Sequence, residues 1–393
     1  MSPNDALPNS VVELLQQLIR IPSVNPDGDP GLPAHQTGEQ ACAEFVAAFL
    51  KSCGAHVNLD EIQPGRPNVI GRFPNTNPAA AGKKSILFGP HLDTVSVAGM
   101  TIDPFAADIR DNKIHGRGAS DTKGSMAAML WALYQSRDLL ANLSTPVAFA
   151  GFMGEETGQF GSRHFAEHYA NDFAFALVGE PTDGHIVHTH KGCLWVQVDA
   201  PGKAVHGSTP ELGDNAITKI ATLITALDTS FRQKLATHTD DALGHATINI
   251  GLVDGGSRAN IVPAHCQTTL DLRLTPDLPP AKALSLLKEF LHHHDPTLTL
   301  TPLLECTPLA TDPNHPVIQQ LLEIPRTRKE NETPTGLSSA PWFCDAAILA
   351  DAGIPSIAIG PGSINQAHTK DEFIAIEDLE DAAAFFQNFI QSL

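Results

Sequence analysis

Hydrophobic and polar positions along the chain fall into two patterns. Four short runs are continuously apolar and bounded by Gly or Pro: Ser85-Ile86-Leu87-Phe88-Gly89, Val147-Ala148-Phe149-Ala150-Gly151, Phe175-Ala176-Leu177-Val178-Gly179 and Pro355-Ser356-Ile357-Ala358-Ile359-Gly360. Strands covered on both faces read this way, and helical patterns fall between the runs, over 124–139 and 162–169. An α/β fold with a helix-flanked, mostly parallel sheet is expected. Residues 194–199, 246–251 and 268–274 instead alternate apolar and polar, as strands with one wet face do, and helical patterns at 214–230 and 280–292 interleave with them. This second pattern predicts an inserted α+β domain over 185–302, an open sheet covered by two helices, within a first domain formed by 1–184 and 303–393. At the N-terminal side, Ser10 is a candidate cap for a helix that stops before Pro22. A second helix is expected over 37–52, ending at Gly54, and the Pro/Gly/Asp-rich loop 22–31 between them as a pocket rim.

Composition changes this picture little. A chain of 393 residues exceeds what one core organises, in keeping with two domains, and 42% hydrophobic with 18% charged residues is ordinary for a soluble protein. The 25 Lys+Arg against 44 Asp+Glu leave a net charge of −19, which argues against nucleic acid or an anionic membrane surface as partner. Met1-Ser2-Pro3-Asn4-Asp5 lacks a basic segment leading into an apolar one, and no run approaches about 18 apolar residues, so a cytoplasmic protein is expected. Six scattered cysteines without CxxC spacing read as buried free thiols.

The candidate chemistry lies just beyond the end of each apolar run: His91 and Asp93, then Glu155-Glu156, then Glu180, then a Gly-rich loop reaching His368. In open α/β sheets ligands bind beyond the carboxyl ends of the strands, so these segments converge on one edge. An isolated Glu-Glu would be a solvated turn. Converging with other acids, the two carboxylates repel unless a cation or a shared proton compensates. His91, Asp121, Glu156, Glu180 and His368 form an imidazole and carboxylate set suited to Zn, Mn or Co, with no thiolate offered. One ion could not use them all and leave room for substrate. Two ions could, sharing one carboxylate, and paired ions about 3.5–4 Å apart polarise carbonyls and generate hydroxide. Other features carry less. His292-His293-His294 reads as the solvated end of a helix, His188 and His190 have no assigned role, and Gly116-Arg117-Gly118 is too little for a phosphate loop.

Five ordered motifs, Gly89-Pro90-His91-Leu92-Asp93-Thr94-Val95, Gly116-Arg117-Gly118-Ala119-Ser120-Asp121-Thr122-Lys123-Gly124, Gly154-Glu155-Glu156-Thr157-Gly158, Gly179-Glu180-Pro181-Thr182 and Gln366-Ala367-His368, resemble the M20 metallopeptidase and deacylase family over essentially the whole chain. That family includes acetylornithine deacetylase and succinyl-diaminopimelate desuccinylase. The resemblance implies a zinc-dependent hydrolase of linear amide bonds with two divalent ions, Zn first and Co or Mn as alternatives. His91, Asp121 and Glu180 are implied to hold one ion and Asp121, Glu156 and His368 the other. Asp93 is then expected to accept the second ring N–H of His91, and Glu155 to be the general base. Asp121 could in addition cap the helix beginning near Gly124.

In the inserted domain, read by resemblance as a lid and dimerisation domain, His206 matches the histidine that donates to the oxyanion, and Asn260 and Arg273 match substrate contacts, with Gly360 a further one in the first domain. The stretch from Gly360 to His368 looks most like acetylornithine deacetylases, whereas 338–346 departs from the Thr-Ser-Asp-Gly-Arg pattern of desuccinylases. The expected activity is therefore deacetylation of an N-acyl amino acid by a homodimer. Desuccinylase, carboxypeptidase and di- or tripeptidase activities are the alternatives. A non-catalytic binding module is disfavoured because the base and every ligand position are present.

Overall fold

The structure is a computed structural model that describes residues 7–28, 31–325 and 336–393. Met1-Ser2-Pro3-Asn4-Asp5, and Asp29 and Pro30 of the expected rim loop, lie outside the described residues. The chain divides into one unit of Met1–His188, Thr311–Ser338 and Cys344–Leu393 and another of Thr189–Ala310 and Ser339–Phe343.

In chain order the first unit contributes α1 (Val11–Arg20), α2 (Gln40–Ser52), β1 (His56–Gln63), β2 (Arg66–Arg72), β3 (Ser85–Pro90), α3 (Lys123–Gln135), β4 (Val147–Gly151), α4 (Phe160–Tyr169), β5 (Phe173–Gly179) and β6 (Ile186–His190), whose last two residues belong to the second unit. The second unit continues with β7 (Gly192–Pro201), α5 (Ala216–Ala226), β8 (Thr247–Gly255), β9 (His265–Leu274), α6 (Pro280–His294) and β10 (Thr299–Cys306). The chain then returns to the first unit with α7 (Asp345–Asp351), β11 (Ser356–Ala358) and α8 (Ile376–Gln391).

Ser10 caps α1 as expected, its Oγ accepting the Glu13 N–H at 3.2 Å. The second helix starts at Gln40 rather than near 37, because Gly38 sits at φ 84, outside helical space. The third ends at Gln135, short of the expected 139, with a separate turn at Arg137–Leu140. It is mostly apolar and buried over ten of its thirteen residues, a helix of the core rather than of the surface.

The sheet of the first unit runs β1-β2-β4-β3-β5-β11-β6. Its centre is parallel, β4 with β3, β3 with β5 and β5 with β11, as the continuous apolar runs predict. Both flanks are antiparallel, so the sheet is mixed. On one flank β1 and β2 form a hairpin closed at Gly65 (φ 70), a connection too short for a parallel crossover. The carboxyl ends of β3, β4, β5 and β11 share one edge of the sheet.

The second unit holds the antiparallel sheet β8-β9-β7-β10. Alternate residues of β9, from Cys266 to Leu274, are buried with Leu194, Val196 and Val198 of β7 against Ile220 and Leu223 of α5 and Leu287 and Leu291 of α6. The helix expected over 214–230 is α5, capped by Asn215, with one wider π turn after it at Leu227–Phe231. No helix of the described residues is long and apolar enough to cross a membrane.

Candidate metal centre

Each candidate ligand leaves a strand or a tight turn. His91 comes directly after β3, and Glu180 directly after β5. Beyond β4 the chain turns at Gly154 (φ 70) before presenting Glu155 and Glu156. His368 ends the loop after β11 and itself lies in the left-handed region at φ 60, where a side chain other than Gly is strained and functional residues concentrate.

Asp121 is the meeting point. Its Oδ1 lies 3.0 Å from Nε2 of His91 and its Oδ2 3.4 Å from Nε2 of His368, so each oxygen faces a different histidine. His368 Nε2 is also 3.2 Å from Glu156 Oε2. His91, Asp121 and Glu156 offer ligand atoms within 4.8 Å of one another. The side chain of Asp121 is thus committed to the site and does not cap α3, whose N-cap is Thr122 with no side-chain cap bond.

Asp93 departs from expectation in detail. His91 Nδ1 pairs with the backbone carbonyl of Asp93 at 2.9 Å, while the Asp93 carboxylate stands 3.5 Å away. That carboxylate accepts the N–H groups of Glu155 at 3.1 Å and Glu156 at 3.2 Å, and the Asn25 amide at 2.8 Å. Asp93 thus holds the histidine through its backbone carbonyl and the acidic pair through its carboxylate.

The electrostatics report a shortage of positive charge. Burial, and then the charge of Glu180, push the Glu155 carboxyl well above the usual range. Burial and Asp121 push Glu156 up to about 7. Glu180 rises through burial and the charges of Asp121, Asp345 and Glu156, against the pull of His91. Hydrogen bonds to Asp121 and Glu156 carry His368 up to about 10. Burial lowers His91, but hydrogen bonds to Asp121 and Asp93 outweigh it and leave it raised. Protons thus sit where a cation is wanted.

Glu156 Oε1 and Glu180 Oε1 are both buried without a hydrogen-bond partner among the described residues. Buried carboxylate oxygens are almost always satisfied, and two orphans beside two histidines and a shared aspartate fit divalent ions. The sixth cysteine, Cys344, offers no thiolate, since burial and then the Glu180 charge raise its thiol.

The remaining candidates lie in both units. His206 is exposed in the second unit; its Nδ1 lies 2.7 Å from Ser208 Oγ and accepts the Ser208 N–H at 3.2 Å, which leaves the ring proton on Nε2. Asn260 is exposed on the neighbouring segment, its carbonyl accepting the Gly207 N–H at 2.8 Å. Arg273 is paired with Asp271 at 3.0 Å rather than left free for a carboxylate. Gly360 is buried, and the substrate contact expected of it is not open to its backbone: its N–H donates to Thr182 Oγ1 and its carbonyl accepts from Thr182 and Gly184. A Cβ there would stand 2.1 Å from Ser125 Oγ and 2.6 Å from the Glu180 carbonyl, so the glycine permits packing directly behind Glu180.

Sequence reasoning missed Asn25 and Glu372. Glu372 is fully buried and accepts from the N–H groups of Gly118, Ser120 and Asp121 and from Arg117. In the sequence it closes Thr369-Lys370-Asp371-Glu372, which reads as a solvated charge run. Its place four residues after His368 is the one available signal.

Residues 87–392 match the family described as Peptidase family M20/M25/M40. The chain is 31% identical to the acetylornithine deacetylase of Proteus mirabilis over 97% of this chain and 96% of that one, and 32% identical to that of Photorhabdus laumondii over 92% of each. An M20 family metallo-carboxypeptidase from Sulfolobus solfataricus shares the fold with a TM-score of 0.79 at 20% identity, over 98% of this chain and 99% of that one. A dinuclear metal binding peptidase from Bacillus subtilis does so with a TM-score of 0.68 at 14% identity, over 97% and 96%. The chain belongs to peptidase family M20/M25/M40 and is a metal-dependent hydrolase of amide bonds.

Proposed function

We propose that the protein removes the acetyl group from an N-acetyl amino acid, using two divalent ions, zinc first and cobalt or manganese as alternatives. The observation that carries the two-ion reading is Asp121, whose two oxygens face two different histidines at 3.0 and 3.4 Å. We assign His91, Asp121 and Glu180 to one ion and Asp121, Glu156 and His368 to the other. Ions bound there supply acidified water and a polarised carbonyl.

Glu155 is the general base. Its carboxylate makes no hydrogen bond among the described residues, whereas its backbone is fixed by Asp93. It is thus held in place and free to take a proton from the attacking water and return it to the leaving nitrogen. His206 is the oxyanion donor, because the tautomer set by Ser208 presents Nε2–H outward. The acetyl preference rests on the acetylornithine deacetylases among its relatives.

We further propose a cytoplasmic homodimer formed through the second unit. β8 is an edge strand of its sheet and leaves Leu252 68% and Val253 54% exposed, a surface that an antiparallel second copy covers.

A panel of N-acetyl-, N-succinyl- and N-formyl-amino acids and dipeptides, assayed with Zn and with Co, tests the substrate. Preference for the acetylated compounds is expected, and faster cleavage of succinyl compounds or dipeptides overturns it. Glu155→Gln is expected to lower turnover by about 10²–10⁴-fold while retaining both ions. Near-normal turnover removes Glu155 from its role.

A further inference from the structure

Glu372 is a buried acid beside the metal centre that is not among its candidate ligands. Its Oε1 accepts the consecutive N–H groups of Ser120 at 2.9 Å and Asp121 at 3.0 Å. Its Oε2 accepts the Gly118 N–H at 3.0 Å and Arg117 Nη1 at 2.8 Å. The same junction is closed by Gly116 N–H to the Glu372 carbonyl at 3.0 Å and by Ser120 Oγ to the Phe373 carbonyl at 2.8 Å. Arg117 is anchored in turn on the Ser96 carbonyl, at 3.1 and 2.9 Å. A desolvated carboxylate with four donors is rigid, since every lone pair direction it offers is in use.

The two segments joined here carry different ligands of one centre. Asp121 supplies the shared carboxylate and is held by its own N–H; His368 stands four residues before Glu372 on the arm that the junction ties down. We infer that Glu372 is a positioning residue that sets the separation of Asp121 and His368 and thereby the affinity for the second ion, the one assigned to Asp121, Glu156 and His368. The inference rests on the two-ion reading of the proposed function. The first ion shares Asp121 with the second, but its other two ligands, His91 and Glu180, leave β3 and β5 outside this junction, so it is expected to be disturbed less.

Glu372→Gln tests this with little change of shape. An amide has one acceptor oxygen, so its NH2 must face either the Ser120 and Asp121 N–H groups or those of Arg117 and Gly118, donor against donor. Metal-stripped protein is titrated with Zn against a chromophoric competitor, and ions are counted per chain. Wild type is expected to take two ions. In E372Q the affinity for one of the two ions, the one assigned to Asp121, Glu156 and His368, is expected to fall by about 10–100-fold while that for the other falls less, the range seen when groups that orient ligands are altered. Activity is then expected to need more zinc but to return near the wild-type kcat at saturation, a recovery that a merely folded-state defect does not give.

Ser120→Ala, which removes only the bond to Phe373, is expected to shift the same site in the same direction but less strongly; it decides the matter should E372Q not fold. Equal weakening of both sites, or unchanged affinities with only a lower melting temperature, overturns the inference. A wild-type protein that takes fewer than two ions overturns the two-ion reading instead.

Discussion

The carboxylate of Asp93 accepts the main-chain N–H of Glu155 at 3.1 Å and, through its other oxygen, that of Glu156 at 3.2 Å, so one buried acid holds both members of the acidic pair by their backbone. The side chains of that pair take no part in this hold. Asp93→Asn disturbs this directly, because Asn25 and the two N–H groups are all donors and an amide answers them with only one acceptor oxygen. The expected result is a loss of about 10–100-fold in kcat/KM at saturating metal. Asn25→Ala removes a single donor and should act in the same direction, less strongly. Steady-state rates with both variants check the order; a wild-type rate in D93N rejects it.

Metal removal should interact with pH in a definite sense. Without ions the folded protein holds Glu156 at a pKa of about 7, above its ordinary 4.5, by burial and the Asp121 charge. Between those values the folded state keeps a proton that the unfolded chain has lost, so stability of the metal-free protein falls as pH rises from 4.5 through about 7. His368 acts the same way: its contribution is complete below 6.5 and lost as pH rises through about 10. Divalent ions replace these protons, so uptake of Zn at pH 7 should release protons. The expected observation is that a chelator lowers Tm more at pH 8 than at pH 5.5; an equal drop at both rejects it.

Legibility of the chain tracked its water exposure. The apolar runs that became β3, β4 and β5 and the alternation of β9 were readable because each strand meets one kind of surroundings on each face. The β1–β2 hairpin was not, because β1 buries none of its residues and β2 buries the polar Arg66 and Asn68 beside Val69 and Ile70. Arg66 is buried by a two-pronged pairing with Glu39 at 2.7 Å per contact, and Asn68 by bonds to Gly161 and Met153 at 2.9 Å. A polar residue satisfied inside the protein looks in the sequence like one facing solvent. The same holds for the site. His91, Asp121, Glu155, Glu156, Glu180 and His368 stood in motifs, whereas Asn25 and Glu372 act on groups of distant segments, and only the spacing of Glu372 from His368 was there to read.

Gly360→Ala should show that the wall behind Glu180 has no spare room. The new methyl group meets Ser125 Oγ and the Glu180 carbonyl, and the second is backbone that moves only with its ligand. Overpacking of this kind typically destabilises by about 1–3 kcal/mol. Loss of stability in denaturant together with weaker binding of the ion assigned to Glu180 is expected. Unchanged metal affinity would show that Glu180 tolerates the displacement.

His190 provides a pH effect separate from the metal centre. The ring is fully buried, with Nδ1 2.9 Å from the Lys191 carbonyl, and burial lowers its pKa from 6.5 to about 4. A depressed histidine must stay neutral in the folded state, while in the unfolded chain it takes up a proton below about 6.5. The unfolded state therefore binds more protons between pH 6.5 and 4, and the stability associated with the neutral ring is lost as pH falls through that window. The shift corresponds to about 3 kcal/mol at the full extent. His190→Phe keeps an aromatic ring and cannot titrate. Denaturant unfolding of chelated wild type and variant at pH 7 and pH 4 is expected to show the wild type losing about 3 kcal/mol relative to the variant. Parallel losses in both proteins would place the acid sensitivity elsewhere.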